Sequence, residues 1–177
     1  MVNSCHDSID EFDDVESINM YAELLKTMTP AEAVAKINFG GRDNPRRPMS
    51  WDGSVGRGFT AGKPWMPFNT FSDQINLASD LASDKSVWRF YRDLLKLRSQ
   101  TPALTAGTFT ELILGEGCCA FVREVVDSKV LVVCNFEQEN HISLPDGCDK
   151  LLLSNYAHEE KTDRLFKPYE IAVFSVN

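Results

Sequence analysis

At residues 42–52 the chain reads Arg42-Asp43-Asn44-Pro45-Arg46-Arg47-Pro48-Met49-Ser50-Trp51-Asp52. Each proline lacks a backbone N–H donor and moves the residue before it out of the helical region of backbone conformation. The segment therefore cannot form a regular helix. We expect a stiff loop that holds its three guanidinium groups in fixed positions.

The arginines of this loop are the candidate binding residues of the chain. A guanidinium group that is held in place can bind a carboxylate or a sugar diol through two parallel hydrogen bonds. Arg42 and Arg46 are the two candidates for such binding. The alternative is a solvated basic loop with a tryptophan packed beneath it, because long charged side chains are mostly exposed.

Motifs on both sides of the loop extend this pattern. The loop continues into Gly58-Phe59-Thr60 and Gly62-Lys63-Pro64-Trp65. The upstream motifs are Ser8-Ile9-Asp10-Glu11-Phe12 and Asp14-Val15-Glu16-Ser17-Ile18-Asn19-Met20-Tyr21. The downstream motifs are Ile75-Asn76-Leu77, Asp84-Lys85-Ser86-Val87, Phe90-Tyr91-Arg92, Leu97-Arg98 and Pro102-Ala103-Leu104. In this order they resemble the oligo-1,6-glucosidase and α-glucosidase group of glycoside hydrolase family 13, the α-amylase superfamily.

The resemblance implies roles for the two arginines. Arg42 corresponds to an arginine beside the subsite for the non-reducing glucose, and Arg46 to one on the pocket rim near the acceptor side. The family block reads Arg-Asp-Asn-Ala-Arg-Thr-Pro-Met-Gln-Trp-Asp. Here Pro45 stands in place of alanine, Arg47 in place of threonine and Ser50 in place of glutamine. These departures stiffen the loop and change its sugar contacts.

The catalytic acids of that family have no counterpart in this sequence. Retaining glycosidases use two carboxyl groups about 5 Å apart, one as the nucleophile and one as the general acid. The family carries them in an Arg-x-Asp motif after the fourth barrel strand and as a glutamate after the fifth. A third aspartate lies in an Asn-His-Asp motif, whereas His6-Asp7 here follows Cys5. We therefore assign no catalytic residue.

The length of the chain leads to the same conclusion. A (β/α)₈ barrel takes about 250 residues, and this chain has 177. The resemblance implies the C-terminal end of such a barrel, followed by a β domain. We accordingly expect Met1 to begin a truncated or split gene product, or a fragment.

Charge and composition disfavour several partners. The net charge is −8 and the pI is near 4.9, whereas nucleic acids and anionic membranes bind basic faces. The N-terminus has no signal-peptide pattern, and no apolar run reaches the roughly 20 residues of a membrane span. We expect a cytoplasmic protein that binds neither nucleic acid nor membrane.

The cysteines and histidines suggest no cofactor. The five cysteines lack metal-ligand spacing, and two of them, Cys118 and Cys119, are adjacent in an apolar run, so we expect buried free thiols. The histidines and serines form no nucleophile elbow. His141 and His158 are expected in turns. We predict no metal site, no disulfide framework and no other cofactor.

Apolar spacing and capping residues predict three helices before the β domain. The first spans about 15–26 with Asp13 or Asp14 as its cap, and the second runs from a capping box at 29–32 to Ile37. The third ends near residue 98 and has Ser83 or Asp84 as its cap. Its inward side chains are predicted to be Val87, Trp88, Tyr91, Leu94 and Leu95.

The long segment at 42–76 has no predicted helix or strand. Loops of this length in compact domains are usually lids or binding loops. Its aromatic residues are Trp51, Phe59, Trp65, Phe68 and Phe71. We expect them to be buried anchors, and the alternative is that they stack on sugar rings.

Short apolar segments separated by turn residues follow Gly107. The predicted strands are 108–114, 119–126, 130–136, 141–144, 151–155 and 171–176. Strands without intervening helices indicate an antiparallel sandwich or Greek key. We therefore predict an α+β fold, in which residues 1–104 are the C-terminal remnant of a catalytic barrel and residues 105–177 are an antiparallel β-sandwich.

The leading hypothesis for function is the C-terminal part of an α-glucosidase of the oligo-1,6-glucosidase type. It would act on short α-gluco-oligosaccharides in carbohydrate metabolism and be inactive alone. The alternative is a non-catalytic module that binds sugar or docks on a separately encoded barrel to complete a split glucosidase. The apolar face of the helix around Trp88, which little else in the chain covers, favours docking. Preference for α-1,6 links, α-1,4 links or sucrose isomerisation stays open.

Overall fold

The computed structural model describes residue 3, residues 5–156 and residues 163–177. The fold is α+β, and its strands pair antiparallel throughout the described residues. The chain divides into two compact units, Met1–Asp84 and Lys85–Asn177. The predicted boundary between a barrel remnant and a β domain, at residues 104/105, rests on the family resemblance, whereas the two units are defined by packing. That boundary stays a prediction.

The first unit is built from helices and a long irregular segment. Its helices are α1 (Val15–Leu24), α2 (Pro30–Gly40) and α3 (Leu77–Ala82), with short 3₁₀ turns at Ile9–Glu11 and Asn44–Arg46. Its apolar cluster is centred on Phe12, Val34 and Ile37, against which Ile9, Tyr21 and Leu24 pack. The two longer helices, α1 and α2, are thus held together by a small core.

Capping fixes where the first two helices begin. The Asp14 carboxylate accepts a hydrogen bond from the Ser17 N–H and so caps α1. Thr29 and Glu32 form the predicted capping box of α2, with Pro30 in its first turn. These predictions are confirmed. The α2 helix extends one turn beyond the predicted end, because Gly41 closes it by donating to the Ile37 carbonyl.

The predicted cap of the next long helix is wrong. This helix, α4 (Val87–Gln100), is capped by Ser86 and not by Ser83 or Asp84. The short helix α3 upstream was not expected, and Pro102 starts a further helix, α5 (Pro102–Ala106), instead of only ending α4. Proline fits the first turn of a helix because the N–H it lacks would have no partner there.

Within its described residues, the second unit combines α4 and α5 with seven strands. The strands are β1 (Thr108–Leu112), β2 (Cys118–Val125), β3 (Ser128–Asn135), β4 (Asn140–Ser143), β5 (Cys148–Ser154), β6 (Asp163–Phe166) and β7 (Ile171–Val176). Five of them form an antiparallel sheet in the order β1-β2-β3-β7-β5, and β4 pairs with β6 in a second sheet. The six predicted strands are found, and β6 was missed. A complete β-sandwich stays a prediction.

The central strand β3 has buried side chains on both of its faces. Leu131 and Val133 belong to one apolar cluster, which also contains Ile142 of β4 and Phe166 of β6. Val130 and Val132 point the other way, since side chains alternate along a strand, and they join a second cluster with Ala103 of α5. The five-stranded sheet is therefore covered on one face by the small sheet and on the other by helix.

The apolar face of α4 is mostly exposed, so the prediction that it points inward is wrong for four of its five residues, whereas Leu94 is half-buried. The exposed fractions are 73% for Val87, 47% for Trp88, 61% for Tyr91 and 50% for Leu95. Near the C-terminal end of the helix, Leu97 packs against the second cluster. This face is a continuous apolar stripe on the second unit.

Other side chains correct single expectations. His141 lies in β4 rather than in a turn, and His158 is outside the described residues. No disulfide joins the five cysteines, but burial was wrongly predicted for Cys5 and Cys119, which are exposed. Within the described residues, no helix has the length and apolar character needed to cross a membrane.

Truncating Phe174 of β7 should destabilise the second unit. Its side chain is fully buried in the cluster shared by the two sheets, so Phe174→Ala is expected to lower the free energy of unfolding by about 3–5 kcal/mol. Chemical denaturation followed by circular dichroism measures this change. Phe136→Ala is the matched control, because Phe136 is 59% exposed. Equal losses for both variants would contradict the assigned core.

Candidate functional site

The centre of the candidate site is a contact between one arginine and two buried carboxylates. The Arg46 Nη1 atom lies 3.1 Å from Asp43 Oδ1 and 3.5 Å from Asp14 Oδ1. Asp43 is fully buried and Asp14 is 5% exposed, whereas the Arg46 side chain is 35% exposed. The sequence therefore placed Arg46 correctly in a structured loop, but its guanidinium group is occupied by acids of its own chain.

The two carboxylates also satisfy backbone donors. Asp43 Oδ2 accepts from the Asp13 N–H at 3.1 Å, which joins the loop to the segment before α1. Asp14 Oδ2 accepts from the Ser17 N–H and hydroxyl. Sequence analysis missed the role of Asp43. The spacing of three residues between Asp43 and Arg46 could have predicted this ion pair, because side chains three residues apart are neighbours on one helical turn.

Several opposing effects act on the Asp14 carboxyl. Burial by itself would raise the pKa of this group, but hydrogen bonds from Ser17 and the charges of Arg46 and Arg42 outweigh it. The pKa of Asp14 is therefore lowered from its usual value near 3.8. The side chain is ionised at neutral pH, and so it cannot serve there as a proton donor.

Arg42 lies on the surface beside a shallow pocket. It is paired with Glu16 at 3.4 Å, and both side chains are more than 60% exposed. The pocket encloses about 260 Å³ between α1 and α2 and has Met20, Ile37 and Phe39 among its lining residues. Arg42 is therefore accessible to a ligand, because an exposed ion pair of this length contributes little stability and is easily exchanged.

The third arginine of the loop, Arg47, turns back towards the N-terminal segment. Its Nη1 donates to the Phe68 carbonyl at 3.2 Å, and its Nη2 lies 3.5 Å from Nε2 of His6. The other ring nitrogen of His6 is 3.1 Å from Glu11 Oε2. The hydrogen bond from His6 is the largest of the causes that lower the pKa of Glu11. The three arginines thus point to three different sets of partners.

The glycine-rich part of the loop is organised by Arg57. This residue adopts a left-handed backbone conformation with φ of 53°. Its carbonyl accepts from the N–H groups of Trp51 and Asp52. Its guanidinium group donates to the carbonyls of Gly53 and Ser54, and its Nε donates to a serine hydroxyl further along the loop. The loop is therefore held by defined hydrogen bonds although it has little regular structure.

The aromatic side chains of this loop are mostly exposed, so the prediction that they are buried anchors is wrong for four of the five. The exposed fractions are 49% for Trp51, 50% for Phe59, 71% for Trp65 and 51% for Phe71. Phe68 is half-buried and packs edge-to-face with Phe59. Because such rings can stack on an apolar ligand surface, their exposure keeps the sugar-stacking alternative open.

Metal binding and catalysis by a thiol have little support in the described residues. They contain no group of three or more histidine, cysteine or acidic side chains arranged to hold a metal ion. Burial, followed by the neighbouring thiols Cys119 and Cys118, raises the pKa of the Cys134 thiol to about 11. A thiol with such a pKa is protonated at neutral pH and is a weak nucleophile.

A family model and the sequences of known proteins point to the same family. The family model of the α-amylase catalytic domain matches residues 10–107. The oligo-1,6-glucosidase of Heyndrickxia coagulans is 39% identical over 173 residues, which cover 94% of this chain and 31% of that enzyme. The α-glucosidase of Pediococcus pentosaceus is 32% identical over 170 residues, which cover 92% of this chain and 30% of that enzyme.

A solved structure extends the similarity to the whole fold. The isomaltulose synthase of Protaminobacter rubrum matches with 34% identity and a TM-score of 0.88. The match covers all of this chain and 34% of the synthase. The chain thus spans about a third of the length of the relatives that it matches.

Removing the Asp43 carboxylate should destabilise the first unit. In Asp43→Ala the Asp13 N–H loses its acceptor and Arg46 loses the closer of its two anions. We expect a loss of about 1–3 kcal/mol in the free energy of unfolding. Chemical denaturation measures it, with Lys26→Ala as the control, because the Lys26–Glu23 pair is exposed on both sides. A change in Asp43→Ala no larger than in the control would contradict the assigned role of Asp43.

Proposed function

Because this chain belongs to the α-amylase family of glycoside hydrolases, we propose that it forms the C-terminal part of an α-glucosidase. The substrates of that enzyme are short α-gluco-oligosaccharides. The relatives that support this proposal are oligo-1,6-glucosidases and α-glucosidases, at 32–39% identity. The proposal includes no metal or organic cofactor, because acid–base glycoside cleavage needs only protein carboxyl groups.

The observation that carries this proposal is the family match to residues 10–107. The structure describes all of these residues, and they contain helices and loops but no strand, since β1 starts at Thr108. A barrel domain requires eight parallel strands. We therefore assign residues 1–104 to the end of the barrel, after its last strand, and residues 105–177 to the β domain that follows.

The two buried acids in contact with Arg46 do not provide the catalytic pair that this chemistry requires. A retaining glycosidase needs one ionised nucleophile and one protonated acid with a raised pKa. Asp14 and Asp43 both contact the same Arg46 nitrogen, and the pKa of Asp14 is lowered. The two groups therefore stabilise the loop and do not cleave a glycosidic bond. The isolated chain is expected to be inactive.

Arg42 is the better placed of the two proposed substrate-binding residues. Its side chain is 62% exposed, and Glu16, the acid within ion-pair distance of it, is also exposed. A sugar diol can replace such a partner, because the guanidinium fork donates two parallel hydrogen bonds. Arg46 has less freedom, since two carboxylates hold it, and we assign it to the rim of the pocket. The cytoplasm is the proposed location.

The purified chain should release no glucose from isomaltose or from p-nitrophenyl α-glucoside. The physical reason is that Asp14 and Asp43 are held by Arg46, and the sequence lacks the catalytic motifs of the family. The assay measures glucose and nitrophenol release, and the oligo-1,6-glucosidase of Heyndrickxia coagulans is the active control. Turnover that persists through size-exclusion chromatography with the 177-residue chain would refute the assignment.

A second candidate function is a non-catalytic module, and the exposed apolar stripe on α4 favours docking. The partner that fits this surface is a separately encoded chain that carries the barrel strands, since the family match includes this helix but no strand. Exposed aromatic side chains at the centre of an interface contribute most of its binding energy. Sugar binding through the exposed loop aromatics is the other form of this candidate.

Capture of the missing region should depend on Trp88. We would co-express the chain with the part of the Heyndrickxia coagulans enzyme that it does not match and measure co-purification and glucosidase activity. Trp88→Ala should weaken capture about tenfold or more, and Phe136→Ala, an exposed aromatic outside α4, should not. Capture with restored activity supports docking onto a separately encoded barrel. Isomaltose binding by the chain alone, without capture, supports the sugar-binding module instead.

A further inference from the structure

The His6 ring lies between a carboxylate and a guanidinium group in the first unit. Its Nδ1 is 3.1 Å from Glu11 Oε2, and its Nε2 is 3.5 Å from Arg47 Nη2. His6 is only 7% exposed, and the edge-to-face contact with Phe12 has a ring separation of 4.6 Å. The ring is therefore enclosed, and both of its nitrogens have a partner.

These partners determine which nitrogen carries the proton. A carboxylate only accepts hydrogen bonds and a guanidinium group only donates them. Nδ1 must therefore carry a hydrogen for Glu11, and Nε2 must present its lone pair to Arg47. His6 is neutral in this arrangement, and its tautomer is assigned from both sides.

Arg47 depends on this lone pair. Its Nη1 donates to the Phe68 carbonyl, and its Nε is buried without a hydrogen-bond partner among the described residues. Among the described residues, His6 Nε2 is thus one of two acceptors of this guanidinium group. Through Arg47, the N-terminal segment is joined to both ends of the loop segment 47–68.

The backbone of His6 is held independently of its ring. Its N–H donates to Asn38 Oδ1 at 3.0 Å, and its carbonyl accepts from Asn38 Nδ2 at 2.8 Å. These two hydrogen bonds to α2 do not change when the imidazole gains a proton. His6 therefore stays in place whatever its charge.

We propose that His6 is an acid-sensitive latch on the arginine loop. A proton taken from solvent by Nε2 converts the acceptor of Arg47 into a donor and places two cations next to each other. The Nδ1–H bond to Glu11 persists and becomes an ion pair. Protonation thus releases Arg47 and loosens segment 47–68, while His6 keeps its contacts with Glu11 and Asn38.

The charged groups in contact with the ring act in opposite directions. Glu11 favours the protonated imidazole and Arg47 opposes it, whereas Phe12 and Asn38 are neutral. Histidine is the side chain that changes charge between about pH 5 and 8.

Hydrogen exchange of the full chain tests the latch without depending on enzymatic activity. Protection of peptides from segment 47–68, corrected for the intrinsic exchange rate, should fall about tenfold between pH 8 and pH 5, the effect of losing one hydrogen bond. In His6→Gln the fall should disappear, because glutamine can donate to Glu11 and accept from Arg47 but does not titrate. His141→Gln, at an exposed position on β4, should behave like the wild type.

A second variant keeps the test decisive if His6→Gln fails to fold. Arg47→Thr removes the guanidinium group, so segment 47–68 should exchange at the same fast rate at both pH values. The proposal is overturned if wild-type protection does not change with pH, or if His6→Gln or Arg47→Thr retains the wild-type pH dependence. Since no step involves substrate, failure of the latch leaves the glucosidase proposal unaffected.

Discussion

The interaction on which the first unit depends is the bridge from Arg46 to Asp14 and Asp43. It joins the arginine loop to the start of α1, and each carboxylate also accepts a backbone N–H. Two buried acids so close together are tolerated only because a cation and several donors compensate for their lost hydration. The same contacts keep Asp14 ionised. A structural role and a role as a general acid therefore exclude each other here.

The second unit depends on apolar packing across a sheet, and its buried carboxylate, Glu170, accepts a hydrogen bond from the Lys167 N–H. The strand β3 is apolar on both faces because the small sheet covers one face and α5 covers the other. Helix α4 packs against this core near its C-terminal end, through Leu97. Most of its other apolar residues, including Trp88 and Tyr91, stay exposed. These residues form the exposed stripe for which docking is proposed.

The candidate site combines features shared with the family and one that the family block lacks. Arg42 and Arg46 occupy positions of that block, and they differ in freedom, since Arg42 is paired only at the surface. Arg47 stands where the block has threonine, and its contact with His6 follows from that change. In the sequence, Arg47 appeared as an isolated difference from the family block. In the structure, it connects the arginine loop with the N-terminal segment at His6.

The sequence by itself determined whatever depends on local chemistry. The capping residues of α1 and α2, the irregular arginine loop and six of the seven strands follow from donors, prolines and apolar alternation within a few residues. Tertiary structure alone decided which surfaces are buried. Periodicity places Trp88 on the apolar face of a helix, and the sequence places Trp51 in the loop. Neither tells whether the side chain is buried, because burial requires a partner from a distant part of the chain. The described residues leave both half exposed. The contacts of His6 with Arg47 and of Asp14 with Arg46 likewise join residues 41 and 32 positions apart, because only folding brings such charges within hydrogen-bond distance.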